Sequence, residues 1–267
     1  MTSLNSGTDI AKSWTADLAA SFGFLTRLPV PGGLPQAPLP EAMRAFPLAG
    51  AIIGTASGLV LAAFTLAGLP GLAAAGLALA ALALLTGGLH EDGLADTADG
   101  FGGGKDRESK LAIMRDSHIG TYGVMALVLG LLVKAGCLGS LAHGPATAVI
   151  ALLAASGSFS RALIVWLMAS TPPARGDGLA HSVGQPSDFT ARSALVAGGI
   201  IAILLLYLTR GLVPALVIMA IGTLAAGLIR FLAMRQIGGH TGDICGALQF
   251  LVETAMIAAA SASLSSP

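Results

Sequence analysis

Seven stretches of apolar residues, each about long enough to cross a bilayer, constrain this chain more than any other feature. They cover 46–68, 70–89, 119–141, 145–169, 193–208, 212–234 and 243–262, and about 20 helical residues suffice to span the hydrocarbon core. The fifth is short. Charged residues make up 10% of the chain, against about 25% in soluble domains. The expected fold class is therefore all-α: a polytopic integral membrane protein, one membrane-embedded domain over 1–267 with about seven transmembrane helices. Alanine and glycine recur in most stretches, as in Gly50-Ala-Ile-Ile-Gly54, and let helices approach closely.

The first 45 residues read as an interfacial segment. Residues 1–13 lack the dense basic region of a cleaved signal peptide, and 14–28 mix Trp14, Asp17 and Arg27 with apolar side chains. An amphipathic or half-inserted helix fits that pattern. Cys137 and Cys245 fall in expected membrane helices without C-x-x-C spacing, as small packing residues do. A formal net charge of zero argues against a nucleic-acid partner; the lipid bilayer is the expected one, and the sequence leaves the oligomeric state open.

Basic residues are unevenly shared between the connections. Lys12, Arg27 and Arg44 precede the first stretch, and Lys105, Arg107, Lys110 and Arg115 lie between the second and third. Arg175 and Arg192 follow the fourth, and Arg230 and Arg235 end the sixth, whereas the opposite turns near 69–71, 142–144 and 209–211 hold Arg210 alone. The positive-inside rule then puts the N-terminus and the loops 90–118, 170–192 and 235–242 in the cytoplasm, and the C-terminus outside.

The loop 90–118 opens on His90-Glu-Asp92-Gly-Leu-Ala-Asp96-Thr-Ala-Asp99-Gly100. Asp92, Asp96 and Asp99 stand at i, i+4 and i+7, on one face of a helix. Like charges there repel, so the face is either a solvated acidic stretch or a cation site. Carboxylate ligands suit Mg²⁺, with Mn²⁺ a possible substitute, better than zinc. The glycines of Gly100-Phe-Gly-Gly-Gly104 end the helix and let backbone N–H groups face an anion. Lys105, Arg107 and Lys110, then Arg115-Asp116-Ser117-His118, follow; these basic residues either meet a diphosphate or merely satisfy the positive-inside rule.

The second loop carries Arg175 and His181, each a phosphate or base contact or simply solvated. Asp243, at the start of the seventh stretch, is a helix cap or a fourth carboxylate of the site. Three charges fall at membrane depth: Lys134, Arg161 and Glu253. Such charges are costly and mark function or internal pairing. Lys134 is near enough to its span's end to snorkel; Arg161 and Glu253, at comparable depths, are expected either to pair or to wall a substrate cavity.

With these residues in view, the chain resembles the cobalamin synthase family, the adenosylcobinamide-GDP ribazoletransferases. The resemblance covers nearly the whole chain: Phe24-Leu-Thr-Arg27-Leu-Pro29, Phe46-Pro-Leu-Ala-Gly50, Gly87 through Gly100, Ile113-Met-Arg115-Asp116-Ser117-His118-Ile-Gly120-Thr-Tyr-Gly123, and Gly238-Gly-His-Thr-Gly-Asp243. The acidic block and the Arg-Asp-Ser block are the specific parts. His118 departs from the pattern, where arginine is common.

The resemblance implies a Mg²⁺-dependent transferase in the bacterial cytoplasmic (inner) membrane. Its substrates are a corrinoid-GDP and α-ribazole or α-ribazole 5′-phosphate, and GMP leaves. On that reading Asp92, Asp96 and Asp99 hold the metal, and Asp116 is a ligand or general base. His90 is a second candidate base or a carboxylate-orienting residue. Lys105, Arg115, Ser117, Arg175 and Asp243 contact substrate or phosphate. A CDP-alcohol phosphotransferase is the nearest rival, since Asp96-Thr-Ala-Asp99-Gly100 matches the opening of its motif, but the following Ala-Arg and the later paired aspartates are missing. A prenyltransferase would need a second aspartate motif. A transporter would leave the acidic face without a purpose.

Overall fold

A computed structural model describes residues 5–31, 34, 37–178 and 182–262, with side chains described from Trp14 onward. Among them there is no strand; a lone bridge joins Pro173 and His240. The helices are α1 (Asn5–Leu25), α2 (Leu39–Ala42), a 3₁₀ turn (Met43–Ala45), α3 (Phe46–Leu66), α4 (Gly71–Thr86) and α5 (Leu89–Gly103). Then come α6 (Arg107–Ile113), α7 (Thr121–Leu141), α8 (Ala146–Ser170), α9 (Asp188–Arg210), α10 (Leu212–Ile237) and α11 (Gly242–Ala262).

Among the described residues, six helical runs are long and apolar enough to cross a membrane: Leu39–Leu66, α7, α8, α9, α10 and α11. α8 is the central one, enclosed by α3, α9 and α11. It meets α3 where a Cβ on Gly50 would press on the backbone of Gly157 and one on Gly54 on that of Leu153 and Ala154. These glycines let the helix backbones touch, which is how close packing substitutes for a hydrophobic driving force in lipid. α7, α9 and α10 instead turn Val128, Leu132, Ile200, Leu204, Leu224 and Leu228 outward, as lipid-facing helices do. The fifth apolar stretch, shortest in the sequence, becomes a 23-residue helix because Ser187 caps it, its hydroxyl accepting the Thr190 N–H.

The second stretch departs from its expected run. α4 ends at Thr86, after 16 residues, or about 24 Å of helix. Gly87 and Gly88 both take left-handed backbone, at φ 70°, a conformation with a steric cost for any side chain. The chain restarts as α5 at 91° to α4. α5 is therefore not a continuation of the span; it crosses one end of the bundle, over the first turns of α11. Gly93 and Gly246 make that crossing close, since a Cβ on Gly93 would lie 2.7 Å from the Asp243 carbonyl oxygen.

α1 lies outside the six spans and packs its second half on α2 and α3. Asp17 is buried and holds Arg44 at 2.6 Å, while the Arg44 guanidinium stacks over Trp14 at 4.8 Å. At the C-terminal end of α1, the Arg27 N–H donates to the Leu85 carbonyl at 2.8 Å, satisfying an orphan carbonyl of α4.

The charges inside the bundle correct the expected pairing. Glu253 pairs with Lys134 at 2.5 Å, not with Arg161, and Lys134 is buried instead of snorkelling. Gln249 also donates to Glu253, at 3.2 Å. Arg161 turns the other way, donating to the Gly157 carbonyl at 3.1 Å and to His90 Nε2 at 3.1 Å. Both α7 and α8 pack on α11; Arg161 is turned toward Gly157 and His90, and the Lys134 ammonium is the cation that meets the carboxylate.

Candidate active site

The loops read as sharing one side are joined at one end of the bundle. Arg107, at the start of α6, donates to the carbonyl of Ile237 at 2.9 Å and to that of Ala174. The α8–α9 and α10–α11 connections hold each other through Ala174 N–H to His240 O at 2.8 Å and His240 N–H to Pro172 O at 2.9 Å. The Thr171 hydroxyl lies 2.9 Å from His240 Nδ1. The α6 start is fixed by a capping box between Asp106 and Ser109.

Beside this junction lies a cavity of about 830 Å³. One wall is the α5 face that carries Leu89, Asp92, Ala95 and Asp96; the α6–α7 connection supplies Arg115, Asp116 and Ser117, and the end of α1 supplies Thr26 and Arg27. The Asp96 carboxyl is pushed up to about 7, first by burial and then by the charges of Asp92, Asp243 and Asp99, with Arg175 opposing. The charge of Asp243 thus reaches Asp96; Asp243 also accepts the Thr241 hydroxyl at 3.1 Å and is not among the cavity-lining residues.

The structure separates the three α5 aspartates by role. The buried Asp99 accepts the N–H of Gly120 at 2.7 Å and of Gly123 at 2.9 Å, one on each oxygen. It therefore clamps the N-terminus of α7, where backbone donors and the helix dipole favour an anion. A Cβ at Gly120 or Gly123 would run into its carboxylate. Asp92 and Asp96 remain directed at the cavity. Among the described residues, no three His, Cys, Asp or Glu groups stand close enough to hold one ion.

The remaining predicted residues divide likewise. Asp116 lines the cavity and is held by His118, whose backbone N–H donates at 3.0 Å and whose Nδ1 lies 2.7 Å away. Those two contacts hold its carboxyl below the usual carboxylate range. Ser117 lines the same cavity. Arg115 reaches across to both carboxylate oxygens of Asp177. Arg175 lies 3.6 Å from Asp243 and 3.9 Å from Asp177, with its Nη1 buried and without a hydrogen-bond partner among the described residues. Lys105 is exposed and is not among the cavity-lining residues. His181 falls outside the described residues.

His90 stands on the other face of α5, buried against α8. An arginine only donates, so Nε2 accepts from Arg161 and the ring proton sits on Nδ1. That atom is buried without a hydrogen-bond partner among the described residues. His90 is thus oriented into the bundle and not among the residues lining the acidic cavity. The sequence leaves Arg107 between a diphosphate contact and a topology signal, and singles out neither Asp177 nor Arg27 as a site residue. Arg107 and Asp177 act across connections 67 and 62 residues apart, and no local spacing reports such a contact.

An all-helical bundle of membrane-length helices with carboxylates and guanidiniums gathered at one end defines a class: a polytopic membrane protein with a charged cavity at that end. The chain belongs to the cobalamin-5-phosphate synthase family, whose model matches residues 17–261. It is 48% identical to the adenosylcobinamide-GDP ribazoletransferase of Azorhizobium caulinodans, over 91% of this chain and 94% of that protein. The protein of the same name from Rhizobium etli strain CIAT 652 is 42% identical, over 95% and 99% of the two chains. No solved structure matches. The family makes this chain a transferase and sets aside the transporter reading.

Proposed function

We propose that this chain carries out the reaction for which its relatives are named, with a magnesium ion at the α5 acids. The substrates are adenosylcobinamide-GDP and α-ribazole or its 5′-phosphate; GMP is released, in the late nucleotide-loop assembly of cobalamin. The observation that carries the metal and site assignment is the single cavity that brings Asp92 and Asp96 together with Arg27, Arg115 and Asp116.

The donor set fits the metal. All the candidate ligands are carboxylate oxygens, the type that hard divalent cations select, and the Asp96 proton is retained to about 7 first because of burial and then because of the neighbouring acids. Asp92 and Asp96, which share the cavity, would hold the ion. Bound there, Mg²⁺ supplies neutralisation of diphosphate charge and orientation of its oxygens. Asp99 serves as the residue that fixes α7 against this face.

In the transfer, a hydroxyl oxygen of the ribazole forms a bond to the phosphorus that bears the cobinamide. The bond from that phosphorus to the bridging oxygen breaks, and GMP departs with the bonding pair. Asp116 accepts the hydroxyl proton, with His118 holding its carboxylate in place. Arg115 and Arg175 neutralise phosphate charge; the unpartnered Nη1 of Arg175 has a donor to spare for a ligand oxygen. Positioning and charge neutralisation are the main demands of phosphoryl transfer.

The orientation follows the basic-residue asymmetry: the cavity end, with the N-terminus, faces the cytoplasm where nucleotide substrates are found. The test is GMP release by purified protein in lipid. Release that requires both adenosylcobinamide-GDP and the ribazole supports the reading; release of GMP without the ribazole, or none with both, contradicts it.

A further inference from the structure

We propose that Arg27 is a phosphate-binding residue of this active site. The proposal rests on the function proposed above and deepens it. Arg27 stands on the rim formed by the end of α1, in the wall of the cavity that contains Asp92 and Asp96. Its neighbours in that region are already engaged. Arg115 is paired with Asp177, Arg175 lies between Asp177 and Asp243, and Arg107 holds two backbone carbonyls. The Arg27 guanidinium, by contrast, makes no hydrogen bond or ion pair with the described residues.

The residue that carries it is nevertheless fixed in place. The Arg27 backbone N–H donates to the Leu85 carbonyl at 2.8 Å, and the side chain lies across Gly87, where a Cβ would come within 3.0 Å of both Cγ and Cζ. Gly87 is thus required twice, for its left-handed backbone and for the room it leaves Arg27. A cation held in place beside a wall of carboxylates, yet paired with none of them, is arranged for an anion that arrives from outside the protein. Guanidinium matches the oxygens of a phosphate in a bidentate fork. Two substrate groups offer that chemistry: the diphosphate of adenosylcobinamide-GDP and the 5′-phosphate of α-ribazole 5′-phosphate.

Arg27→Ala and Arg27→Lys, in the full-length protein in lipid, test this with three substrate titrations and one binding measurement. The titrations vary adenosylcobinamide-GDP, α-ribazole and α-ribazole 5′-phosphate; the binding measurement uses adenosylcobinamide-GDP alone. Loss of a charge-assisted hydrogen bond predicts a KM raised about 10-fold or more, with kcat changed less and lysine restoring part of the loss. A raised KM and Kd for adenosylcobinamide-GDP places the guanidinium on the diphosphate. A raised KM for α-ribazole 5′-phosphate but not for α-ribazole places it on the acceptor's phosphate. Unchanged KM for all three substrates, with wild-type turnover intact, overturns the Arg27 proposal alone. Absence of GMP release by the wild type overturns the underlying function, and this proposal with it.

Discussion

Lys134 Nζ lies 2.5 Å from Glu253 Oε2 in the interior of the bundle, and both side chains are almost fully buried. Lys134 is on α7 and Glu253 on α11, the two helices between which α5 packs. Phe250 adds its ring face, 4.8 Å from the ammonium. Removing one partner leaves an uncompensated buried charge, typically about 3–5 kcal/mol. Lys134→Met and Glu253→Gln are each expected to lower thermal stability strongly, and the double variant less than their sum. A double-mutant cycle checks this; additive losses would show that the two charges do not interact.

Asp99 and Asp96 are expected to fail in different ways. Asp99 spends both oxygens on the N-terminus of α7, so Asp99→Ala should lose roughly 1–2 kcal/mol, the scale of a lost helix cap. Asp96→Asn relieves repulsion among neighbouring acids and should hold or raise metal-free stability. Thermal melts of the two variants check this, and the opposite ranking would return Asp99 to the metal face. Gly120→Ala and Gly123→Ala should resemble Asp99→Ala, because their new methyl groups displace the same carboxylate.

The raised Asp96 pKa has a definite sign. Unfolded aspartates titrate near ~4, whereas Asp96 in the fold keeps its proton to about 7. The folded protein binds the extra proton in between, so metal-free stability from this group should fall as pH rises from ~4 through ~7. Magnesium competes with that proton, so its apparent affinity should rise over the upper part of the same window and then level off. Melting temperatures against pH, with and without Mg²⁺, check both trends. A pH-independent Mg²⁺ affinity between pH 5.5 and 8 would separate Asp96 from the metal.

The spans and the acidic face were legible because both are local patterns: long apolar runs, and carboxylates at helical spacing. The break at Gly87-Gly88 was less so, since an apolar stretch through 89 reads as continuous while two left-handed glycines turn the chain by 91°. Counting residues from the span ends gave Arg161 and Glu253 similar depths. Both α7 and α8 pack on the helix of Glu253, and the partner was decided by side-chain direction, Arg161 turning to Gly157 and His90, which residue counting does not report. Asp99 could not be told from Asp92 and Asp96 by spacing, because its role is set by Gly120 and Gly123, more than 20 residues away.

Sidedness is testable apart from chemistry. With Cys137 and Cys245 replaced, single cysteines at exposed positions such as Lys105 or Asp177 should resist an impermeant thiol reagent applied from outside intact cells. A cysteine at Gly211, in an opposite turn, should react. Labelling at 105 and 177 from outside would invert the orientation.

The most direct measurement is a magnesium titration of GMP release from adenosylcobinamide-GDP and α-ribazole, comparing the wild type with Asp92→Asn and Asp96→Asn in lipid. The account predicts no release after chelation, recovery on adding Mg²⁺, and a loss on the order of 100-fold or more in each variant, partly offset by higher Mg²⁺. Release that survives chelation, or wild-type rates and Mg²⁺ dependence in both variants, would contradict it.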